Sequence, residues 1–220
     1  MQPRACLIDA LGTTVRLLPP WERLDPALTD GIEPDRVRRA FAAEMTHYAA
    51  HAHEARDAGS LAELRSECAR ILSAGLGREV GVEAMMAAIS FEAYPDAAPA
   101  LRSLREEGLT LVCVSNWDFE LDLVLTRIGL AGLFDGVVVS ALAGARKPDP
   151  AIFRRALEVA GCGPSEAVHV GDSDDDVQGA RAAGIAVLRI DHEGDAGDIS
   201  SLAELPAALA SGPMGEHAAS

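Results

Sequence analysis

Five short apolar runs, each the length of a β-strand, constrain the fold of this chain more than any other feature of its sequence. They are rich in Val, Ile or Leu, are bounded by polar residues or glycine, and span residues 4–9, 109–114, 136–139, 167–170 and 185–190. Strands that are apolar along almost their whole length are typical of a parallel sheet covered on both faces. Helical segments are predicted between them at residues 96–107, 118–128, 149–160 and 176–183. This alternation predicts an α/β fold with a doubly wound, mostly parallel, Rossmann-like sheet.

One long segment, residues 18–92, interrupts the alternation. It is helical in character and contains no convincing strand. A helix is expected to open at Glu33-Pro34-Asp35, and Ser60 with Glu63 forms a candidate capping box for another. An insertion directly after the first strand lies over the carboxyl edge of the sheet. We therefore predict a core domain of residues 1–17 and 93–210, a helical cap domain of residues 18–92, and a flexible tail of residues 211–220.

Charge and cysteine usage exclude several classes of function. A formal net charge of −15 and a pI of about 4.7 repel phosphate backbones and anionic lipid, so we expect neither nucleic-acid nor membrane partners. The cysteines are scattered without a CxxC pair, which argues against a zinc site or a disulfide framework; they are Cys6, Cys68, Cys113 and Cys162. Because the sequence shows neither a signal peptide nor an apolar stretch of membrane-spanning length, we expect a cytoplasmic protein.

Reactive side chains follow the carboxyl ends of four predicted strands. In chain order they are Asp9 with Leu11, Gly12 and Thr13 behind it, then Ser115 and Asn116, then Lys147, and last Asp172 with the acidic run 174–176. The carboxyl ends of the strands form the ligand site of an open α/β sheet, so we expect these side chains to converge. Clustered carboxylates repel each other unless a cation lies between them, and an all-oxygen environment suits Mg²⁺. With Lys147, such an ion would offset the charge of a phosphoryl group facing Asp9.

Each of these residues has an ordinary structural explanation when it is taken alone. Ser115 and Asn116 are typical helix caps, and the run 174–176 complements a helix dipole. Asp9 is an unremarkable acid at a strand end, and Lys147 is a typical surface lysine. The functional interpretation depends on their occurrence together, in this order and at these strand ends.

These segments resemble the haloacid dehalogenase superfamily, and within it the subfamily with a helical cap inserted after the first motif. The resemblance covers residues 1–17 and about 93–190, and the cap matches only in position and helical character. The matching segments are Asp9-Ala-Leu-Gly-Thr13, Val114-Ser115-Asn116, Arg146-Lys147-Pro148-Asp149-Pro150, and His169-Val-Gly-Asp172-Ser-Asp-Asp-Asp176.

The resemblance implies a Mg²⁺-dependent hydrolase of a phosphorylated small molecule, acting as a monomer or homodimer. Asp9 would be the nucleophile and form an aspartyl-phosphate, with Ser115 and Lys147 as the other catalytic residues. The implied substrate-binding residues are Leu11, Gly12, Thr13 and Asn116. The implied ligands of Mg²⁺ are Asp9, the Leu11 carbonyl, Asp172 and Asp176, with Asp175 as an alternative to Asp176 because the acidic run leaves the register open.

Leu11 departs from the family pattern. Phosphatases of the family carry a second aspartate there, which protonates the leaving alcohol and then activates water, and such acid–base help contributes about 10²–10⁴-fold in rate. Asp118 or the cap histidines His47, His51 and His53 are candidate substitutes, although an exposed helix face explains the histidines better.

Three branches of the family tolerate a residue other than an acid at this position. The phosphonate-cleaving branch needs a cap lysine, and the chain's only lysine is Lys147. Metal-independent 2-haloacid dehalogenases release a halide that needs no proton, but they lack the acids Asp172 and Asp176. The remaining branch, a phosphatase that acts on good leaving groups such as acyl phosphates or works slowly, is favoured, and the dehalogenase stays an alternative. A degenerate member that binds a ligand without turnover is the alternative from another class.

Overall fold

The computed structural model describes residues 3–194 and 196–210, and the expected tail, residues 211–220, lies outside them. Within that part of the chain, five parallel strands form the core sheet. Their order across the sheet is Gly136–Val139, Thr110–Ser115, Ala5–Ile8, Ala167–Gly171 and Ala186–Arg189. This confirms the predicted α/β class. The strands are β1 (Ala5–Ile8), β2 (Val15–Leu17), β3 (Phe91–Ala93), β4 (Thr110–Ser115), β5 (Gly136–Val139), β6 (Ala167–Gly171) and β7 (Ala186–Arg189).

Helices alternate with the core strands and make up most of the insertion. They are α1 (Pro26–Thr29), α2 (Pro34–His51), α3 (Ala58–Leu76), α4 (Val82–Ala88), α5 (Ala97–Glu106), α6 (Leu121–Arg127), α7 (Ser140–Ala143), α8 (Pro150–Ala160), α9 (Asp174–Ala182) and α10 (Leu205–Ala210). Short 3-10 segments lie at Pro20–Glu22, Ala52–Glu54, Ala131–Leu133, Pro164–Glu166 and Leu202–Glu204.

Two apolar layers enclose the sheet because successive strand residues point to opposite faces. Ala5 and Leu7 of β1 pack with α8 and α9, while Cys6 and Ile8 pack with α5, α6 and α10. Both faces are buried, which explains why the strands read as continuous apolar runs.

The inserted helices have an apolar cluster of their own, which extends from Leu24 to Ala88. Its centre is the pair α2 and α3, which cross closely where Gly75 meets Ala40. Asp57, not Ser60, is the N-cap of α3; Ser60 is the third residue of the helix and completes the box from that side. The predicted capping box was therefore displaced by three residues, because Asp57 offers the same capping oxygen one turn earlier.

A two-stranded antiparallel ribbon connects the cap to the core. β2 pairs with β3, with Arg16 opposite Glu92, and these two side chains form an ion pair. The assignment of no strand to residues 18–92 is thus wrong at residues 91 and 92. β3 is three residues long and half-buried throughout, so it carries no alternating pattern from which it could be predicted. Among the described residues, none of the helices is long and apolar enough to cross a membrane.

Candidate active site

The register of the sheet brings the predicted site residues to one edge. Ile8 pairs with Cys113 of β4 on one side and with Val170 of β6 on the other. Asp9 therefore emerges between the ends of β4 and β6, beside Ser115 and Asp172. The two flanking strands deliver these groups because the three strands are parallel and end at the same level.

Asp9 is held from two sides by polar side chains. It is 4% exposed, and its Oδ1 accepts hydrogen bonds from Lys147 Nζ at 2.5 Å and from Ser115 Oγ at 3.1 Å. Its Oδ2 has a single long contact, with Thr13 Oγ1 at 3.5 Å. One carboxylate oxygen is thus fixed, and the other remains available for chemistry.

Asp176 anchors the far side of Lys147. Its Oδ1 lies 2.6 Å from Lys147 Nζ and 2.7 Å from His169 Nε2. Its Oδ2 accepts from Ser173 Oγ at 2.5 Å and from the Ser173 N–H at 3.2 Å. From the sequence, His169 belongs to the fourth motif but has no assigned role. Its position as the polar residue inside the apolar run 167–170 is the feature that could have indicated a buried contact.

Asp172 completes an acidic cluster with Asp9 and Asp176. Oxygen atoms of these three carboxylates lie within 4.8 Å of one another, and Asp175 does not belong to the cluster. The Asp172 carboxylate packs directly on Gly12, at a place where any Cβ would collide with it, and Gly12 has a φ of +88°. Glycine is therefore required at this position both for the backbone conformation and for the approach of the acid.

The electrostatics of the cluster are unbalanced. Burial, reinforced by Asp176 and Asp172, raises the pKa of Asp9 to about 6 even though Lys147 opposes this. Burial would also raise the pKa of Asp176, but Lys147 and His169 outweigh burial and hold that pKa well below its usual range. Burial would lower the pKa of Lys147, but the two carboxylates beside it raise that pKa instead. Lys147 forms ion pairs with two of the three carboxylates, Asp9 and Asp176, so ionisation of all three leaves an excess of negative charge around this lysine.

The remaining predicted site residues surround this centre. Leu11, two residues after Asp9, is 42% exposed. Asn116 brackets the backbone of Lys147, accepting from its N–H at 2.8 Å and donating to its carbonyl at 3.0 Å. The carbonyl of Thr13 contacts His192 Nε2 at 2.9 Å. Asn116 therefore supports Lys147, and a direct role for it toward substrate stays a prediction.

Three of the candidate substitutes for an acid at position 11 have contacts of their own, and the fourth, His53, approaches Glu54 at 3.8 Å. Asp118 is 3% exposed, and its two oxygens accept from the Tyr48 hydroxyl and from the Glu120 N–H, each at 2.7 Å. His47 and His51 stack on each other along α2, with ring centroids 4.2 Å apart. Asp118 thus serves as a contact between cap and core, a function that the sequence did not reveal.

Comparison with known proteins supports the resemblance to the haloacid dehalogenase superfamily. A family model described as haloacid dehalogenase-like hydrolase matches residues 3–184. The glyceraldehyde 3-phosphate phosphatase of Methanopyrus kandleri is 40% identical over 104 residues, which are 44% of this chain and 42% of that protein. The chain spans about two fifths of the length of the curated relatives it matches.

Two solved structures resemble the whole chain. The HAD phosphatase of Thermococcus onnurineus is 27% identical with a TM-score of 0.64, and the match covers 96% of this chain and 98% of that one. The L-2-haloacid dehalogenase of Xanthobacter autotrophicus is 22% identical with a TM-score of 0.70, covering 94% and 98%. The second likeness shows a shared fold alone.

Proposed function

The chain belongs to the haloacid dehalogenase-like hydrolase family, and from that premise we propose that it is a Mg²⁺-dependent hydrolase of small phosphorylated molecules. The observation that carries the proposal is the charge of the site, where three buried or half-buried carboxylates cluster and Lys147 forms ion pairs with two of them. A divalent cation would neutralise this excess, whereas a site without one would repel any anionic substrate. We also propose that the protein is cytoplasmic and acts as a monomer or a homodimer.

The residues present fit such an ion. Carboxylate oxygens are the donors that Mg²⁺ prefers, and Asp172 rests against Gly12 in a position that only glycine permits. Asp9, Asp172 and the Leu11 carbonyl would hold the ion, with Asp176 behind them because its oxygens already accept from Lys147, His169 and Ser173. The bound ion would supply charge neutralisation for the phosphoryl group.

In the first half of the proposed reaction, Asp9 attacks phosphorus. A bond forms between the carboxylate oxygen and phosphorus, and the bond from phosphorus to the leaving oxygen breaks, which gives an aspartyl-phosphate and the leaving anion. Lys147 orients Asp9 from a distance of 2.5 Å and offsets the charge of the transferring group. Ser115, which bonds the same oxygen, would donate to the phosphoryl oxygens.

In the second half, water attacks phosphorus and the bond between phosphorus and the Asp9 oxygen breaks. Inorganic phosphate leaves, the Asp9 carboxylate is regenerated, and the proton released from the water passes to the solvent. Leu11 offers neither a proton to the leaving group nor a base to this water. Substrates whose leaving group departs as a stable anion, such as acyl or aryl phosphates, are therefore favoured over sugar phosphates.

A metal-independent 2-haloacid dehalogenase is the second candidate, and Leu11 is the observation that favours it, since a halide leaves without a proton. Asp172 opposes it, because its carboxylate would repel the carboxylate of a haloacid in the absence of a cation. A ligand-binding member without turnover is the third possibility, and it is distinguished by experiment.

Phosphate release from an aryl, an acyl and a sugar phosphate, measured with Mg²⁺ and with a chelator, tests the proposal. We expect Mg²⁺-dependent release from the first two and little from the third. Halide release from a 2-haloacid in the presence of the chelator would instead establish the dehalogenase. Thermal stabilisation by the phosphorylated compounds without turnover of any of them would establish the binding protein.

A further inference from the structure

One short segment, residues 115–120, connects the catalytic centre with the cap. At its start, Ser115 contacts Asp9, and Asn116 brackets the backbone of Lys147. At its end, residues 118–120 contact the inserted helices. The same turn therefore faces both the reacting groups and the lid above them.

The contact between Tyr48 and Asp118 is the centre of this junction. Tyr48 lies on α2 of the cap, and its hydroxyl donates to Asp118 Oδ2 at 2.7 Å. The other oxygen of Asp118 accepts from the Glu120 N–H at 2.7 Å and so closes the turn. Asp118 is 3% exposed with the cap in place, so an opened cap would replace this shielded hydrogen bond by contact with water.

Two neighbouring contacts join the same segment to the cap. The Phe119 N–H donates to the Ala55 carbonyl at 3.1 Å, and its side chain packs against the apolar cluster of the cap. Arg65 of α3 forms an ion pair with Glu120 at 2.7 Å, in which both side chains are largely shielded from water. Cap and turn are therefore fastened by a backbone bond and an ion pair in addition to Tyr48.

A further contact joins α2 to the loop that carries Lys147. The Arg146 guanidinium donates to the Ala50 carbonyl, near the end of α2, at 3.1 Å. The residue next to it is Lys147, whose backbone is bracketed by Asn116. Both loops that hold Lys147 thus contact the end of one cap helix.

We propose that Tyr48 is a positioning residue that couples closure of the cap to the placement of Lys147. The coupling runs from the Tyr48 hydroxyl through the turn 116–118 to the Asn116 amide, and from there to Lys147 and its contact with Asp9. An open cap releases Asp118, loosens the turn, and frees Lys147 from its position against the nucleophile. The consequence for catalysis rests on the proposed function; the coupling itself does not.

Tyr48→Phe removes the hydroxyl alone, and Tyr94→Phe is the matched control because Tyr94 is the chain's only other tyrosine and is not part of this junction. Two signals report on the coupling without substrate. Hydrogen exchange of the Phe119 amide reports on cap–core contact. Selective isotope labelling of lysine gives one side-chain NMR signal, since Lys147 is the only lysine.

In Tyr48→Phe we expect exchange at Phe119 to accelerate about tenfold or more, from the loss of a hydrogen bond to a charged group. We also expect the Lys147 signal to shift or split, while amides of β1 and the Tyr94→Phe control behave as in the wild type. Unchanged exchange at Phe119 would show that Tyr48 does not hold the cap. Faster exchange with an unchanged Lys147 signal would show that the cap is held but not coupled, which overturns the proposal.

Kinetics with an aryl phosphate and Mg²⁺ give a separate readout. Misplacement of Lys147 lowers kcat with little change in KM, whereas loss of a purely structural contact lowers thermal stability and leaves kcat unchanged. If the wild type turns over no phosphate ester, the proposed function fails, and the exchange and NMR results still decide the coupling.

Discussion

At the scale of single residues, the proposed substrate preference rests on Leu11. Asp9, Lys147 and the other two acids lie together, whereas Leu11, two residues after Asp9, is an exposed apolar residue. Asp118 does not replace the missing acid, because both of its oxygens already accept hydrogen bonds. Under the proposed function, these residues provide for attack on phosphorus, and neither Leu11 nor Asp118 provides for proton transfer.

Leu11→Asp tests this directly. We expect turnover of a sugar phosphate with Mg²⁺ to rise by about 10²-fold or more, because the new carboxyl group protonates the leaving alcohol and activates water. The matched control is Leu11→Asn. Asparagine has nearly the same shape as aspartate but cannot transfer the proton, so this variant should show no gain in turnover. Equal gains in both variants would show that polarity, not acid–base chemistry, limits the wild type.

The raised pKa of Asp9 predicts how metal binding depends on pH. With this pKa at about 6, Asp9 carries a proton at lower pH, and a carboxylate must lose its proton to hold a metal. The apparent affinity for Mg²⁺ should therefore fall as the pH drops below about 6, with uptake of Mg²⁺ releasing a proton there. Titration calorimetry in two buffers of different ionisation enthalpy measures that proton. An affinity independent of pH from 5 to 8 would contradict the assignment of Asp9 as a ligand.

Sequence reasoning placed the residues at strand ends well and missed the residues that support them. Asp9, Ser115, Lys147 and Asp172 could be predicted because parallel strands present their carboxyl ends at one edge. The contact between Tyr48 and Asp118 could not, since it joins positions 70 residues apart and depends on how the cap lies over the core. Local pattern carries no information about such a contact.

At the scale of elements, the buried strands and the core helices follow from periodicity, whereas the ribbon β2–β3 does not. Each of its strands has three residues, and the ladder between them spans three residue pairs. Such a ribbon is defined by pairing across the whole insertion, so no short window of sequence indicates it. The predicted N-cap of α3 was wrong for a different reason. Two residues with capping oxygens, Asp57 and Ser60, lie within one turn, and either could begin the helix.

The crossing of the two long cap helices gives a prediction about stability. A Cβ on Gly75 would lie 2.6 Å from the Cβ of Ala40, so Gly75→Ala must push α2 and α3 apart and should cost about 1–3 kcal/mol in the free energy of unfolding. Gly59→Ala, on the exposed start of the same helix α3, meets only an ordinary 3.4 Å contact with Asp57 and should be stabilising by about 0.5–1 kcal/mol. Chemical denaturation measures both. A neutral Gly75→Ala would mean that the crossing is looser than described.

At the scale of the whole molecule, the acidic cluster lies at the carboxyl edge of the core sheet, beside its central strand β1, so neutralising it should stabilise the fold. An ion that binds only the native state adds about 2.7 kcal/mol at a hundred times its Kd. We expect Mg²⁺ to raise the Tm of the wild type, and the gain to be lost in Asp172→Asn, which keeps the shape of the side chain but removes one charge. An equal gain in this variant would place the effect of Mg²⁺ elsewhere on this acidic protein.

The most direct test of the account is the capture of the covalent intermediate. The wild type is mixed with an acyl or aryl phosphate and Mg²⁺, quenched in acid within the first turnover, digested and examined by mass spectrometry. The account predicts one phosphoryl group on the peptide that contains Asp9, accumulating because Leu11 leaves the second half of the reaction without a base. Turnover without this adduct, or with the phosphoryl group on another residue, would contradict it.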